Sequence, residues 1–347
     1  MKPASPSVCT EAQRKAVVGL DDALKKVFEK RAHGEAAPMY GMLRYFMGFL
    51  DEKFRPEKQG AGGKRFRPAL CLFIAEAYGA REKAIDAALA IELFHNFTLI
   101  HDDVEDKDVV RRNRPTVWKL WGVNHAINSG DTLSLMASEL AVKSGPILGQ
   151  KLLTAFQEVI EGQYLDFELA DQPLGSDIVT EKSALLMDAK KTGALIAAAA
   201  EVAGIAGGQT AEECANLHEY GMAVGMVFQL ADDYRSVWDT KKETGKDSHS
   251  DIREHKRTLP FFAAHKELRG AAKKRFEELY SLTRQLSEAE IAEALVLIGE
   301  TLARAHVLAK IKSYAAEAQA VVEKLSVPDE TKSILIGLVD MLVPHGE

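Results

Sequence analysis

Residues 99–118, LIHDDVEDKDVVRRNRPTVW, hold Asp102, Asp103, Glu105 and Asp106 within five positions, and Arg111, Arg112 and Arg114 follow at once. On a helix, Asp102 and Asp106 sit one turn apart on one face, where like charges cost about 0.3 kcal/mol. A solvated acidic face is the ordinary reading of such a run. The apolar stretch IELFHNFTLI directly before it argues otherwise. Hard oxygen donors on one helical face suit Mg²⁺, which keeps several waters and commonly bridges carboxylates to substrate phosphates.

A second Asp pair, Asp232–Asp233, stands in FQLADDYRSVWD. Alone it is a weak signal; as a partner to the first it allows several Mg²⁺ ions around one diphosphate. Basic residues complete the set: Lys64, Arg65 and Arg67 on a Gly-rich loop, Arg111 and Arg112 beyond the first acid cluster, then Lys191, Lys246 and Lys256. Any one lysine taken alone reads as a surface charge. Carboxylates, Mg²⁺ and Arg/Lys together have a natural ligand in a polyanion such as diphosphate. Gly60, Gly62 and Gly63 let backbone N–H groups approach phosphate oxygens. The GxxxxGK[ST] pattern is missing, so the loop is not a P-loop.

The elements that position these groups are almost all helical. Helical periodicity runs over 11–31, 38–54, 68–79, 82–107, 116–120, 124–143, 147–170 and 180–205. Thr210 with Glu213 restarts a helix after Gly207–Gly208 and carries it to about Trp238. Beyond Thr258 further helices follow, one capped by Ser287 with Glu290 and reaching about Leu325, and Pro328 opens the last. No low-complexity linker cuts the 347 residues, so a single all-α domain over 1–347 with a flexible start at 1–10 is expected. Forty-four basic against 51 acidic residues give −7, which speaks against a nucleic-acid binder. Cys9, Cys71 and Cys214 are far apart and fit a reducing compartment. No secretory signal opens the chain. TGALIAAAAEVAGIAGG reads as a buried core helix rather than a membrane span, because Glu201 interrupts it. A cytoplasmic location is expected.

In order along the chain stand GKRFRP, FHNFTLIHDDVED, RRNRPT, GQYLD, KTG, FQLADD and TGK…DIREHKRTLP. Together they closely resemble the trans-prenyltransferases, the short-chain polyprenyl diphosphate synthases, over about residues 40–300. The resemblance implies an isoprenoid-synthase-type all-α bundle around a central cavity, usually a homodimer. It implies an allylic diphosphate held by three Mg²⁺ ions, with Asp102, Asp106 and Asp232 matching the metal ligands. Arg111, Lys191 and Lys246 match residues that hold the allylic diphosphate, and Lys256 is a further expected substrate-binding residue. Lys64, Arg67, His95 and Arg112 match the isopentenyl diphosphate site. Thr192 and Gln229 match polar groups facing the reacting carbons, and Gln163 and Asp166 match a pair beside the metals.

The chain departs from the pattern at Ser236, where the second motif usually has a third Asp, and at Asn113, where Gly is usual. Asn tolerates positive φ better than most residues. Asp232, Ser236 and Thr240 also fall at the ligand spacing of class I terpene cyclases, but a cyclase binds one diphosphate and needs no second basic pocket. Residues one turn or more before Asp102 line the floor beneath the growing tail, because helical side chains repeat every three to four residues. Phe97 is expected to form that floor, Thr98 to leave depth, and Phe94 to be floor or core. The expected product is C20 geranylgeranyl diphosphate, with C15 farnesyl diphosphate the competitor.

Overall fold

The structure, a computed structural model, describes residues 2–57, 63–239 and 249–344. Its helices are α1 Pro6–Ala16, α2 Leu20–Glu29, α3 Ala37–Phe46, α4 Phe66–Ala77, α5 Arg81–Glu105, α6 Val117–Trp121, α7 Val123–Lys143, α8 Pro146–Ala170, α9 Glu181–Asp188, α10 Ala194–Ala206, α11 Ala211–Trp238, α12 Ser250–Arg253, α13 Leu259–Glu267, α14 Gly270–Tyr280, α15 Glu288–Gly299, α16 Ala303–Lys324 and α17 Asp329–Asp340. Among the described residues the strands are confined to a hairpin of β1, Val110–Arg111, and β2, Arg114–Pro115. The all-α expectation therefore holds. No helix of the described residues is long and apolar enough to cross a membrane.

The chain divides into two compact units. One comprises residues 7–156 and 198–214; the other comprises 1–6, 157–197 and 215–347. In the first unit α5 packs on α4 and α7. Its middle, from Ala84 to Phe94, is buried nearly all round, which is what a helix enclosed by neighbours requires. Leu20, Leu24 and Phe28 of α2 follow one face and are buried, each contributing about 1.5–3 kcal/mol on transfer from water. Glu201, the charge inside the apolar α10, pairs with Lys151 at 2.6 Å. In the second unit α13 packs on α16, and α16 on α17. Phe261, Phe276 and Tyr280 stack there on one another within a buried cluster.

Boundaries move where local conformation overrides periodicity. The helix expected over 11–31 is two, because Gly19 takes φ 80° between α1 and α2. Residues 6–10, expected to be a flexible lead-in, belong to α1, with Cys9 fully buried. The helix expected over 38–54 stops at Phe46, and Gly48 at φ 81° turns the chain. The Ser287–Glu290 capping box forms as expected, but its helix ends at Gly299 and α16 starts afresh. The stretch read as one helix over 180–205 breaks into α9, a π-helical turn at Ala189–Gly193, and α10.

Candidate functional site

In the first unit, α5 delivers its acids to solvent at its C-terminal end. Asp106 is the C-cap residue and its N–H donates to Asp102 O at 2.8 Å, so the two carboxylates stand one turn apart on half-buried positions. Asp103, on another face, is buried and ion-paired with Arg111. Burial pushes the Asp103 carboxyl up to about 6, against the pull of Arg111.

The hairpin after α5 aims the arginines. Arg112 and Asn113 both take positive φ, 52° and 60°, the left-handed pair that a two-residue type I′ turn needs. Asn113 thus serves where Gly was expected. Arg112 lies over the Phe46 ring, 5.5 Å from its centre, and against Gly63, where a Cβ would come within 2.9 Å of Nη2. Arg67 Nη1 meets His95 Nε2 at 3.1 Å. A guanidinium can only donate, so Nε2 accepts and the imidazole proton sits on Nδ1. Burial and the surrounding Arg67, Arg112, Arg111 and Arg65 hold His95 well below its usual pKa, hence neutral. Burial also lowers Arg67 and Arg112 to about 10, leaving both cationic at neutral pH. Lys64 is exposed on the same loop. Arg65 turns inward instead, to Glu92 at 2.5 Å.

Below Asp102 on α5, Phe94 is buried and stacked on Phe156 of α8, rings parallel within 2° and centroids 3.9 Å apart. Phe97 is half-buried, 5.1 Å from Phe94 and edge-on to His101 at 4.8 Å. The Thr98 hydroxyl donates to His95 O at 2.8 Å.

The second unit gathers the other set. Gly193 and Gly225 let the π-helical turn and α11 approach until a Cβ on Gly225 would lie 2.6 Å from Gly193 Cα. That approach brings Thr192 Oγ1 to donate to Gln229 Oε1 at 2.7 Å, while Gln229 Nε2 donates to Asp233 Oδ1 at 2.8 Å. Gly162 of α8 is equally tight, with a virtual Cβ 2.2 Å from Lys191 N. Lys191 Nζ accordingly reaches Asp166 Oδ2 at 2.6 Å. Burial raises Asp166, but Lys191 and Lys256 outweigh it and hold that carboxyl below its usual range. Gln163 is half-buried one turn before Asp166 on α8. Asp232 is exposed, whereas Asp233 is buried.

Two acids here escaped the sequence reading, Asp188 and Asp251, while Asp233 was read only as half of the second Asp pair. Ser236 Oγ donates to Asp251 Oδ2 at 2.5 Å, so the position lacking a third Asp carries a carboxylate from α12 instead. Burial first, then the neighbouring Asp166, pushes Asp188 up to about 8. Burial raises Asp251 to about 6, with Ser236 opposing and Asp232 adding. Asp233 is raised by burial and by Asp188 and Asp251. Asp188 could be found in sequence only as a lone acid at a helix end before KTG, and Asp251 only as one more residue of DIREHKRTLP. Lys246 and Thr240 lie outside the described residues.

Both oxygens of Asp188 and Oδ2 of Asp233 are buried without a hydrogen-bond partner among the described residues. Among the described residues Lys191 acts on Asp166 and Asp188, and Lys256 on Asp166 and Asp251, while Asp188 and Asp251 press on Asp233. Unsatisfied hard-oxygen donors carrying surplus negative charge fit a hard divalent cation. Among the described residues no three acidic, histidine or cysteine side chains converge into a ready cage. Mg²⁺ ordinarily completes its shell with water and phosphate oxygens.

Each unit thus sets acidic residues beside arginines or lysines, a combination suited to hard cations and polyanions. The chain belongs to the polyprenyl synthetase family, whose profile matches residues 56–298. It is 39% identical over 227 residues to a (2E,6E)-farnesyl diphosphate synthase of Mycobacterium bovis, covering 64% of this chain and 62% of that protein. It is 41% identical over 206 residues to a geranylgeranyl diphosphate synthase of Methanosarcina mazei, covering 57% and 62%. The chain thus spans under two thirds of the length of these curated relatives. A crystal structure of a polyprenyl synthetase from Streptomyces coelicolor A3(2) superposes with a TM-score of 0.85 at 30% identity, covering 96% of this chain and 99% of that one.

Proposed function

We propose that the protein condenses isopentenyl diphosphate with an allylic diphosphate, head to tail, releasing diphosphate and forming an (E)-prenyl diphosphate. The observation that carries this reading is the Arg67–His95–Arg112 pocket, a basic site additional to the acid-and-lysine set of Asp166, Lys191 and Lys256. Two diphosphates need two such places; a cyclase acting on one does not. Asp102, Asp106 and Asp232 would hold Mg²⁺, three ions by resemblance. Those ions, when bound, supply Lewis-acid neutralisation of the departing diphosphate.

The chain's own groups do the remaining work. Lys191, Lys256, Arg111 and Lys246 bind the allylic diphosphate and favour its negative charge as the carbon–oxygen bond breaks. Arg67, Arg112, Lys64 and the His95 Nδ1–H fix isopentenyl diphosphate so that its double bond attacks the allylic carbon, the entropy of the encounter being lost at binding. Thr192 gives its proton to Gln229, which leaves the hydroxyl oxygen's lone pairs to face a developing cation. Gln163 orients groups beside the metals with Asp166. The new carbon–carbon bond forms, and the diphosphate takes the proton lost from the isopentenyl unit. Phe97 as a floor under Asp102, with the small Thr98 beside it leaving depth, supports a C20 product, geranylgeranyl diphosphate, with C15 farnesyl diphosphate the competitor. Ile160, Tyr164 and Phe167 make an exposed apolar stripe on α8 at i, i+4 and i+7, which supports a homodimer. The three cysteines, all free and buried, suit the cytoplasm.

The test is product chromatography after incubating the enzyme with Mg²⁺, isopentenyl diphosphate and each allylic primer in turn, beside a reaction with geranylgeranyl diphosphate alone. A C20 diphosphate from the first supports the reading. Hydrocarbon release from the second, with no elongation in the first, replaces it with a cyclase.

A further inference from the structure

Two arginines share the neighbourhood of one buried carboxylate, Glu92, and end differently. Arg65 Nη1 donates to Glu92 Oε1 at 2.5 Å and Nη2 donates to Met47 O at 3.1 Å. Asp21 lies 3.3 Å from its Nε. Its charge is consumed inside the fold. Arg112 forms no direct ion pair among the described residues: its hydrogen bonds go to Phe46 O at 3.4 Å and Asn96 Oδ1 at 3.2 Å, it lies over the Phe46 ring, and Glu92 and Asp103 act on it only at longer range.

Asn96 stands between the two. It is fully buried, one turn beyond Glu92 on α5. Its Nδ2 donates to Glu92 O at 2.7 Å and to Glu92 Oε1 at 2.6 Å. Both partners are acceptors, so the NH₂ must face Glu92 and the carbonyl oxygen must face Arg112. The flipped amide would set donor against donor on Arg112 and acceptor against acceptor on Glu92. The amide therefore takes up acceptor capacity of Glu92 that a second arginine would otherwise claim. It also offers Arg112 a neutral anchor.

We propose that Asn96 is a positioning residue that holds the Arg112 guanidinium at the isopentenyl diphosphate pocket while keeping it from pairing with Glu92. This rests on the assignment of Arg112 to that pocket. A neutral anchor fixes direction without cancelling charge, so the full cation remains for a diphosphate. A carboxylate at position 96 would fix it equally well and neutralise it.

The experiment compares Asn96→Leu, Asn96→Ser, Arg112→Ala and Asn96→Leu/Arg112→Ala with wild type, each for both Michaelis constants and thermal midpoint. Losing a hydrogen bond to a charged group predicts that Asn96→Leu raises KM for isopentenyl diphosphate roughly tenfold. KM for the allylic primer stays within about twofold, and the double variant is no worse than Arg112→Ala alone, because coupled residues are not additive. Asn96→Ser, too short to reach Arg112, behaves like the leucine variant. An Arg112→Ala defect with wild-type KM in both Asn96 variants overturns the inference alone. So do equal rises in both Michaelis constants, additive losses in the double variant, or failure of both Asn96 variants to fold, which would assign Asn96 to stability. An unchanged isopentenyl KM in Arg112→Ala overturns the pocket assignment and the inference with it.

Discussion

The basic pocket of the first unit and the acid cluster of the second handle charge in opposite ways. Around Arg112, surplus charge is settled internally: Arg65 is paired with Glu92, Arg111 with Asp103, and His95 is kept neutral. What remains is a small set of cations at defined places. Around Asp188 and Asp233 the charge is left unsettled. Buried carboxylates crowd one another, three carboxylate oxygens have no hydrogen-bond partner among the described residues, and Asp188 and Asp233 are pushed upward. Burying carboxylates that crowd one another is costly unless they are paired.

The sharpest way to break this contrast is to remove acids from either helix. Asp102→Ala and Asp232→Ala should each lower kcat by roughly a hundredfold or more, the scale of losing electrostatic stabilisation of a leaving group. Circular dichroism should stay native. Turnover near wild type in either would dismiss that residue as a metal holder. Next in size, Lys191→Met should cut kcat/KM for the allylic primer by at least about tenfold through loss of a charged contact, and leave KM for isopentenyl diphosphate unchanged. An effect on the second substrate instead would merge the two regions.

A smaller effect tests the unsettled charge itself. Asp188 is raised to about 8 from an ordinary 3.8. Its native form holds a proton that the unfolded chain has released, so burial costs nothing below the unfolded value and increasingly more as pH rises toward 8. Asp188→Asn should therefore gain stability over wild type without Mg²⁺, the gap in Tm widening between pH 4 and pH 8. A gap constant across that range would mean Asp188 is not strained by charge. Smallest in rate but plain in product, Phe97→Ala should lengthen the prenyl chain at nearly unchanged turnover. Identical chromatograms would remove Phe97 from the floor.

Much of the fold was legible because helical periodicity and capping are local. The Ser287–Glu290 box and the ends of α5, α7 and α8 fall within a residue or two of expectation. The acids of DDVED were legible because their spacing is itself the helical repeat. The π-helical turn was not, since nothing in AKKTG forbids an α-helix; it arises where the close Gly193–Gly225 approach sets the neighbouring backbones. Nor was the inward turn of Arg65, the N-cap of α4, while Arg67, two positions on in the helix's first turn, meets His95. Their difference is a left-handed φ of 51° at Arg65 and a carboxylate 27 residues away.

The sequence by itself determined the helices, the placing of Asp102 and Asp106 one turn apart, and the supply of cations near them, because these depend on residues within a few positions of one another. The tertiary structure alone decided which charges are cancelled and which are kept. Ser236 meeting Asp251, Asn96 standing between Glu92 and Arg112, and Asp188 buried without a hydrogen-bond partner among the described residues all depend on distance and burial between chain segments, and the energy of a charge is set by its surroundings rather than by its neighbours in sequence.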